Sequence, residues 1–228
     1  MGILVAAREM RLLALPSELR RALTGVEVTA MYACVLLYIW RWQYSHPRVW
    51  VLLLAIVLAT HVVHRDRLRD LGLTRFHLRA SAEVILPLAL AVYLPVVLAG
   101  FLTGRIRFMI PGLAALAYLG GYGSWCVGQQ YLAQSYFHHR LMSVVRSRHL
   151  SSLLVAVMFG GAHLPNPVLT AVTTLGGFVF SEVFARRRNI WPLALAQTAG
   201  GFLVAALTPA GLIHNMRVGP GYWFWGIR

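Results

Sequence analysis

An all-α bundle of membrane-spanning helices is the fold class that this sequence predicts, on three observations. The chain of 228 residues is 58% hydrophobic and 12% charged, which is about half the charged fraction of a typical soluble domain. Apolar stretches long enough to cross a bilayer recur along nearly its whole length. Its 21 basic residues are all arginines that lie between those stretches. That spacing favours a positive-inside membrane protein over a nucleic-acid binder.

Seven apolar segments are the predicted spans, at residues 26–40, 49–63, 82–102, 109–137, 150–163, 167–185 and 190–207. If the N-terminus is cytoplasmic, the inner loops hold about 15 of the 21 arginines and the outer loops about six. The sequence therefore predicts a cytoplasmic N-terminus and a C-terminal tail on the other side. The predicted location is the bacterial inner membrane, with membrane lipid and other transmembrane proteins as partners and no nucleic acid.

Three regions have more specific predictions within one transmembrane domain, residues 1–228. Residues 1–22 predict an amphipathic helix on the inner leaflet. The segment 109–137 would be roughly 45 Å long as one helix, against a core of about 30 Å. We therefore expect a break or kink at "GGYG", residues 120–123, rather than a strong tilt. The tail, residues 209–228, predicts an aromatic interfacial anchor, with a docking surface as the alternative.

Uncharged polar side chains form a stripe in "VGQQYLAQSYFHHR", inside the fourth segment. Gln130, Gln134 and His138 are spaced i, i+4 and i+8, so they lie on one helix face. An amide in lipid is costly unless it is paired, so this face should contact protein or a wet cavity. Hydrogen bonds that hold helices together are the alternative role of the glutamines.

Two other segments carry a polar residue at a similar depth. At about 1.5 Å per residue, Gln130 lies roughly 15 Å from Arg140, His163 roughly 22 Å from Arg148, and Gln197 roughly 13 Å from Arg188. In a bilayer about 30 Å thick, the depths of Gln130 and Gln197 fall in the middle third, and that of His163 lies just beyond it. The sequence therefore predicts that Gln130, His163 and Gln197 can meet in one intramembrane ligand site together with Gln134 and His138.

The remaining histidines, acids and cysteines have simpler interpretations. His61, His64, His138 and His139 lie beside arginines, which favours interfacial roles over haem or metal ligation. Glu182 lies four residues before Arg186, so we expect an arginine-paired residue; Glu27 and Glu83 begin their spans. The only cysteines, Cys34 and Cys126, match no metal spacing and predict no disulfide. We predict neither a metal nor a cofactor.

The stretch "FGGAH", with Phe159 and His163, together with "LPNP", "RRRNIWPLALAQ" and "LGLTRFHLR", makes the sequence similar to the CPBP intramembrane proteases, a family named for CAAX proteases and bacteriocin-processing enzymes. The family's motifs are a Glu-Glu pair with an arginine four residues later, Phe-x-x-x-His, and a histidine followed at the fourth position by a small polar residue. Here "FGGAH" matches the second of these motifs. The resemblance covers residues 70–205. It implies a membrane endopeptidase in which a glutamate, assisted by histidine, activates water.

The other two motifs depart from the family pattern. Gln129 and Gln130 stand where the glutamates are expected, Gln134 at the arginine, Gln197 at the histidine and Gly201 at the asparagine. An amide has no useful basicity, so only His163 could still act as a base. An engineered Glu-to-Gln trap would change the glutamate pair alone, so departures at all five positions favour natural divergence.

The leading hypothesis is therefore a pseudo-protease that acts as a binding, scaffold or accessory subunit. Its ligand would be a transmembrane segment, a lipidated or isoprenoid-like chain, or a larger membrane complex. The alternative is an active endopeptidase or other hydrolase with a rearranged site centred on His163. A haem- or pigment-binding membrane subunit is the third hypothesis.

Overall fold

A computed structural model of the protein describes residues 16–106 and 113–224, and it confirms the all-α fold class. Within these two ranges every regular element is a helix and no strand occurs. The α-helices are α1 (Ser17–Leu37), α2 (Val49–His64), α3 (Leu78–Leu102), α4 (Leu113–Gln130), α5 (His139–Val144), α6 (Arg148–Gly161), α7 (Pro167–Arg186), α8 (Trp191–Leu207) and α9 (Ala210–Ile213). The π-helical turns are Tyr38–Trp42 and Tyr131–His138, and the 3₁₀ turns are His214–Met216 and Gly219–Tyr222.

The helices have the length and apolar composition of membrane helices. Three of them are long and apolar enough to cross a bilayer, Ser17–Trp42, Leu78–Leu102 and Pro167–Arg186, and Val49–His64 and Trp191–Leu207 are shorter apolar helices. Each of the seven predicted segments overlaps a helix of the described residues. The number of complete crossings and the orientation remain predictions. The predicted amphipathic segment, residues 1–22, lies mostly outside the described residues, which begin just before α1.

Helices α2 and α3 form the apolar exterior. Leucine and valine side chains on both helices are exposed, and Leu90 of α3 is 61% exposed. In water such a surface would be costly, whereas in a bilayer it faces hydrocarbon. Pro87 and Pro95 lie inside α3 without ending it, as proline does in membrane helices.

The centre of the bundle is the π-helical turn between α4 and α5. All six residues from Ala133 to His138 are buried, so this turn is enclosed on every side. One apolar cluster packs Tyr136 and Phe137 against α1, α2 and α6. A second cluster packs Phe184 of α7 against α3, α8 and the loop before α8. The polar stripe thus lies between two apolar cores.

The predicted break at residues 120–123 is wrong. Helix α4 runs through them without interruption, and the departure from α geometry comes later, at Tyr131–His138. A break in lipid would leave backbone amides and carbonyls without partners, whereas a continuous helix satisfies them internally.

The predicted inner loops meet at one end of the bundle, which we call the arginine-rich end. Arg140 of α5 contacts Asp66 of the α2–α3 loop at 2.6 Å. Arg188 donates to the carbonyl of Asp70 at 3.3 Å, and Asn189 donates to the carbonyls of Thr74 and Phe76 from its buried amide. Side chains from three loops therefore fix this end of the bundle.

The C-terminal tail packs against the opposite end. The Gly219 amide donates to the carbonyl of Leu164 at 2.8 Å, and Gln43 donates to the carbonyl of Val218 at 3.3 Å. Asn166 caps α7 through Leu169 and donates to the carbonyl of Ile213 at 2.7 Å. The described part of the tail is therefore bound to the protein. Its role as an interfacial anchor remains a prediction.

Candidate functional site

Three glutamines from two helices form a hydrogen-bonded chain, which we call the amide cluster. Gln130 at the end of α4 donates to Gln197 of α8 through its Nε2, at 2.6 Å from Oε1 of Gln197. Gln197 in turn donates to Oε1 of Gln129 at 2.5 Å. Gln130 is fully buried, and the other two are half-buried. The structure thus brings together three residues at the positions of the family's first and third motifs.

The rest of the stripe continues into the π-helical turn. Gln134 and His138 are both 0% exposed. Nε2 of His138 lies 3.4 Å from Oγ of Ser152 on α6. Neither Gln134 nor His138 forms a hydrogen bond with the amide cluster within the two described ranges. The predicted stripe is therefore one buried face on which Gln130 belongs to the amide cluster and His138 lies separately, beside Ser152.

Several atoms of this face have no partner within the described residues. They are Oε1 of Gln130, both amide atoms of Gln134, and Nδ1 of His138. Buried polar atoms in folded proteins are paired in the great majority of cases, so an exception of this kind marks a place for water, a ligand or chemistry. The face combines donors and acceptors but carries no carboxylate or guanidinium.

His163 lies at the end of α6, in the turn that leads to Pro165. Its Nδ1 is 2.7 Å from the carbonyl oxygen of Phe159, and a carbonyl can only accept, so Nδ1 carries the proton. Its ring packs edge-on against Phe159, with ring centroids 5.0 Å apart. In the part of the chain that the structure describes, no hydrogen bond joins His163 to a glutamine or a carboxylate. The structure leaves this residue outside the amide cluster.

Tyr122 fills the space at Gly201, the fifth departure from the family. A Cβ atom at Gly201 would overlap the hydroxyl of Tyr122 on α4. The ring of Tyr122 also packs edge-on against Phe202, with ring centroids 5.4 Å apart. An asparagine at position 201 would therefore displace Tyr122. The neighbouring packing therefore leaves no space for a polar side chain at position 201.

Glu182 of α7 is paired with arginines, as the sequence predicts. Its carboxylate lies 2.9 Å from Arg186 and 3.6 Å from Arg148, and it accepts from Nδ1 of His149 at 3.0 Å. It also accepts a hydrogen bond from Ser152. Because its oxygens are already used by cations and a hydroxyl, Glu182 is poorly suited to replace the missing glutamates as a base.

A buried ionic cluster at the arginine-rich end is the feature that sequence reasoning missed. Arg140 is 3% exposed and binds Asp66 at 2.6 Å and Glu27 at 3.2 Å. His61 donates to Asp66 at 2.7 Å, and His139 donates to it at 3.0 Å. Glu27 also accepts hydrogen bonds from His64 and Tyr136. The chain has only seven acids against 21 arginines, and this imbalance is the signal that an acid within the bundle pairs with an arginine.

The cluster holds Asp66 ionised. Burial alone would raise the pKa of Asp66, but hydrogen bonds from His139, His61 and Arg140 outweigh it and hold the pKa well below its usual range. Asp66 lies in the α2–α3 loop. Its charge therefore joins α2 and α5 without entering the middle of the bundle.

Among residues 16–106 and 113–224, no group of three or more His, Cys, Asp or Glu side chains could hold a metal ion. Cys34 and Cys126 are both free thiols, and Cys126 is buried.

Comparison with known proteins gives one result. No curated protein and no solved structure matches the chain. A family model described as "Type II CAAX prenyl endopeptidase Rce1-like" matches residues 111–203. This span contains every residue that the sequence analysis assigned to the site, from Gln129 to Gly201. Over residues 111–203 the chain is therefore similar to the Rce1-like CAAX endopeptidases, which confirms the predicted resemblance to the CPBP family.

Proposed function

We propose that this protein is a catalytically impaired member of the family that acts as a binding, scaffold or accessory subunit in the bacterial inner membrane. The ligand class is a transmembrane segment, a lipidated or isoprenoid-like chain, or a partner in a membrane complex. The observation that carries the proposal is the amide cluster, because amides that bond to one another occupy the positions of the expected catalytic groups.

The chemistry of the amide cluster supports loss of proteolysis. A family endopeptidase needs a carboxylate to take a proton from water, and Gln129 and Gln130 cannot do this at neutral pH. Loss of a general base typically slows a reaction by about 10²- to 10⁴-fold. The amide of Gln197 also replaces the family's second histidine, so two of the expected proton carriers are absent.

The unpaired polar atoms support binding. Both amide atoms of Gln134 lack a partner within the described residues, although the side chain is fully buried. A side chain that served only to hold helices together would be bonded to a neighbouring helix. Gln134 and its neighbours are therefore our candidates for contact with a ligand.

His163 favours a second candidate function, a hydrolase with a rearranged site. Because its Nδ1 donates to Phe159, its Nε2 is the nitrogen with a free lone pair. No carboxylate of the described residues orients the ring from the other side. This function therefore has one plausible base and no second catalytic group.

A cleavage assay separates the two functions. The full-length protein, purified in mild detergent, would be incubated with a prenylated CAAX-type peptide and with a transmembrane peptide, beside a His163→Ala variant. We expect no cleavage above the buffer rate from either protein. Cleavage that the native protein performs and His163→Ala loses would overturn the proposal in favour of the hydrolase.

Co-purification tests the binding role directly. Tagged protein would be isolated from its native membrane, and the bound proteins and lipids would be identified by mass spectrometry. We expect a bound partner or lipid that is reduced in Gln134→Leu and retained in Ser124→Ala, an exposed position on the same helix run. A chain that elutes alone, with nothing bound, would contradict the proposal.

A further inference from the structure

A small cleft opens at the arginine-rich end between α3 and α7. It has a volume of about 230 Å³ and is lined by Val84, Val183, Arg186 and Arg187. Val84 lies near the start of α3 and the other three near the end of α7. The cleft therefore has an apolar wall beside a cationic rim.

The rim carries more positive charge than the protein neutralises. Arg186 is paired with Glu182 at 2.9 Å. The guanidinium of Arg187 donates only to the carbonyl of Arg186, at 3.3 Å, and pairs with no carboxylate of the described residues. Glu83, the acid next to Val84 in the chain, is already bonded to Arg79 at 2.7 Å. An anion at the cleft would thus meet an unneutralised guanidinium.

The apolar wall continues along the outside of α3. Val84 is 46% exposed, and it is followed on the same helix by exposed leucines and valines that include Leu88 and Leu94. A ligand with a long apolar chain could follow this surface away from the rim. A free anion would leave this apolar surface uncovered, and an uncharged lipid would leave Arg187 unpaired.

We propose that this cleft binds an anionic phospholipid, whose phosphate accepts hydrogen bonds from Arg187 and Arg186 and whose acyl chains lie along α3. Guanidinium groups bind phosphate through paired N–H donors. Basic pockets between membrane helices at the cytoplasmic side suit anionic head groups. The site is separate from the amide cluster, so it holds whether or not the protein cleaves peptides.

Lipid binding to the full-length protein in detergent tests this site. Phosphatidylglycerol and phosphatidylcholine with identical dioleoyl chains would be titrated, with native mass spectrometry and thermal unfolding as readouts. We expect phosphatidylglycerol to bind more tightly and to raise the unfolding temperature. Arg187→Ala should weaken that binding roughly fivefold, whereas Arg48→Ala, an exposed arginine before α2, should not change it.

Three outcomes would overturn the proposal. Equal binding of the two lipids would show that the net negative charge of the head group does not matter. Equal losses in Arg187→Ala and Arg48→Ala would indicate a diffuse charge effect rather than this cleft. An identical temperature rise with inorganic phosphate alone would indicate an anion site that ignores the acyl chains.

Discussion

Two polar regions of this protein solve the problem of burial differently. The ionic cluster at the arginine-rich end pairs Arg140 with both Asp66 and Glu27, at 2.6 and 3.2 Å. The amide cluster near the predicted middle of the membrane contains no charged group and leaves some of the neighbouring polar atoms unpaired. The first region holds loops and helices together, and the second has polar atoms beside it that no described residue bonds.

This difference shows in which parts of the bundle the chain accommodates charged side chains. An ion in a membrane interior is expensive unless it is paired and hydrogen-bonded. In a family whose chemistry needs carboxylates, the unfavourable free energy of burying them is tolerated because they are required for catalysis. Here the acids of the described helices are bonded to cations, and the positions that the resemblance assigns to catalytic groups carry amides. The stability of the two regions should therefore respond very differently to mutation.

Removing the central cation of the ionic cluster should have the largest effect. Arg140→Met would leave the buried side chain of Asp66 and the half-buried Glu27 without their guanidinium partner, and breaking a buried ion pair costs about 3–5 kcal/mol. The free energy of unfolding, measured by denaturing-detergent titration in mixed micelles, should fall by that amount. The matched control is Arg79→Met, whose pair with Glu83 is exposed and should contribute less than about 1 kcal/mol. Similar losses in the two variants would contradict a structural role for the cluster.

Acid should weaken the same region by a smaller amount. The pKa of Asp66 is held below its unfolded value of 3.8, so its contribution is present above about pH 4 and is lost as pH falls towards the folded pKa. The free energy of unfolding of the native protein should therefore decline below about pH 4. Asp66→Asn should be less stable at neutral pH and show a shallower acid decline. An unchanged slope in that variant would mean that other acids cause the decline.

The amide cluster was the more predictable of the two regions. Helical rise alone placed Gln130 and Gln197 at similar depths, and the structure joins them at 2.6 Å. His163 had a greater predicted depth, roughly 22 Å against roughly 15 Å for Gln130, and the structure bonds it to its own helix instead. Depth along a helix predicts which residues can meet, but not which way each side chain points.

The ionic cluster and the π-helical turn could not be predicted in the same way. Arg140 and Asp66 are far apart in the chain, and no local spacing records their contact. Residues 120–123 suggested a break because glycine is a poor helix former. That preference of about 1 kcal/mol per residue is smaller than the cost of leaving backbone groups unpaired in lipid. The helix therefore continues, and its irregular turn comes where side chains pack on every side.

Substitution at Gly201 tests how closely Tyr122 packs against this position. Gly201→Ala places a methyl group against Tyr122, and such overpacking typically costs about 1–3 kcal/mol of unfolding free energy. The same measurement on Gly128→Ala, where a Cβ meets nothing within 4 Å, should show no loss. In a Tyr122→Ala background the cost of Gly201→Ala should largely disappear, because the overlap is gone. A cost that persists there would point to another cause.

The smallest effect should come from the amide cluster itself. Gln197→Leu removes two hydrogen bonds between α8 and α4, and such bonds in membrane proteins contribute about 1 kcal/mol each, often less. The control is Gln43→Leu at the opposite end of the bundle, which loses one hydrogen bond to a backbone carbonyl. Replacing Gln129, Gln130 and Gln197 together by leucine should restore most of the lost stability, because removing all partners leaves fewer unpaired groups. If that triple variant folds as stably as the native protein but no longer retains a co-purifying ligand, the amides serve binding rather than stability. If it is instead much less stable than Gln197→Leu, the amides hold the helices together, and the amide cluster serves stability as the ionic cluster does.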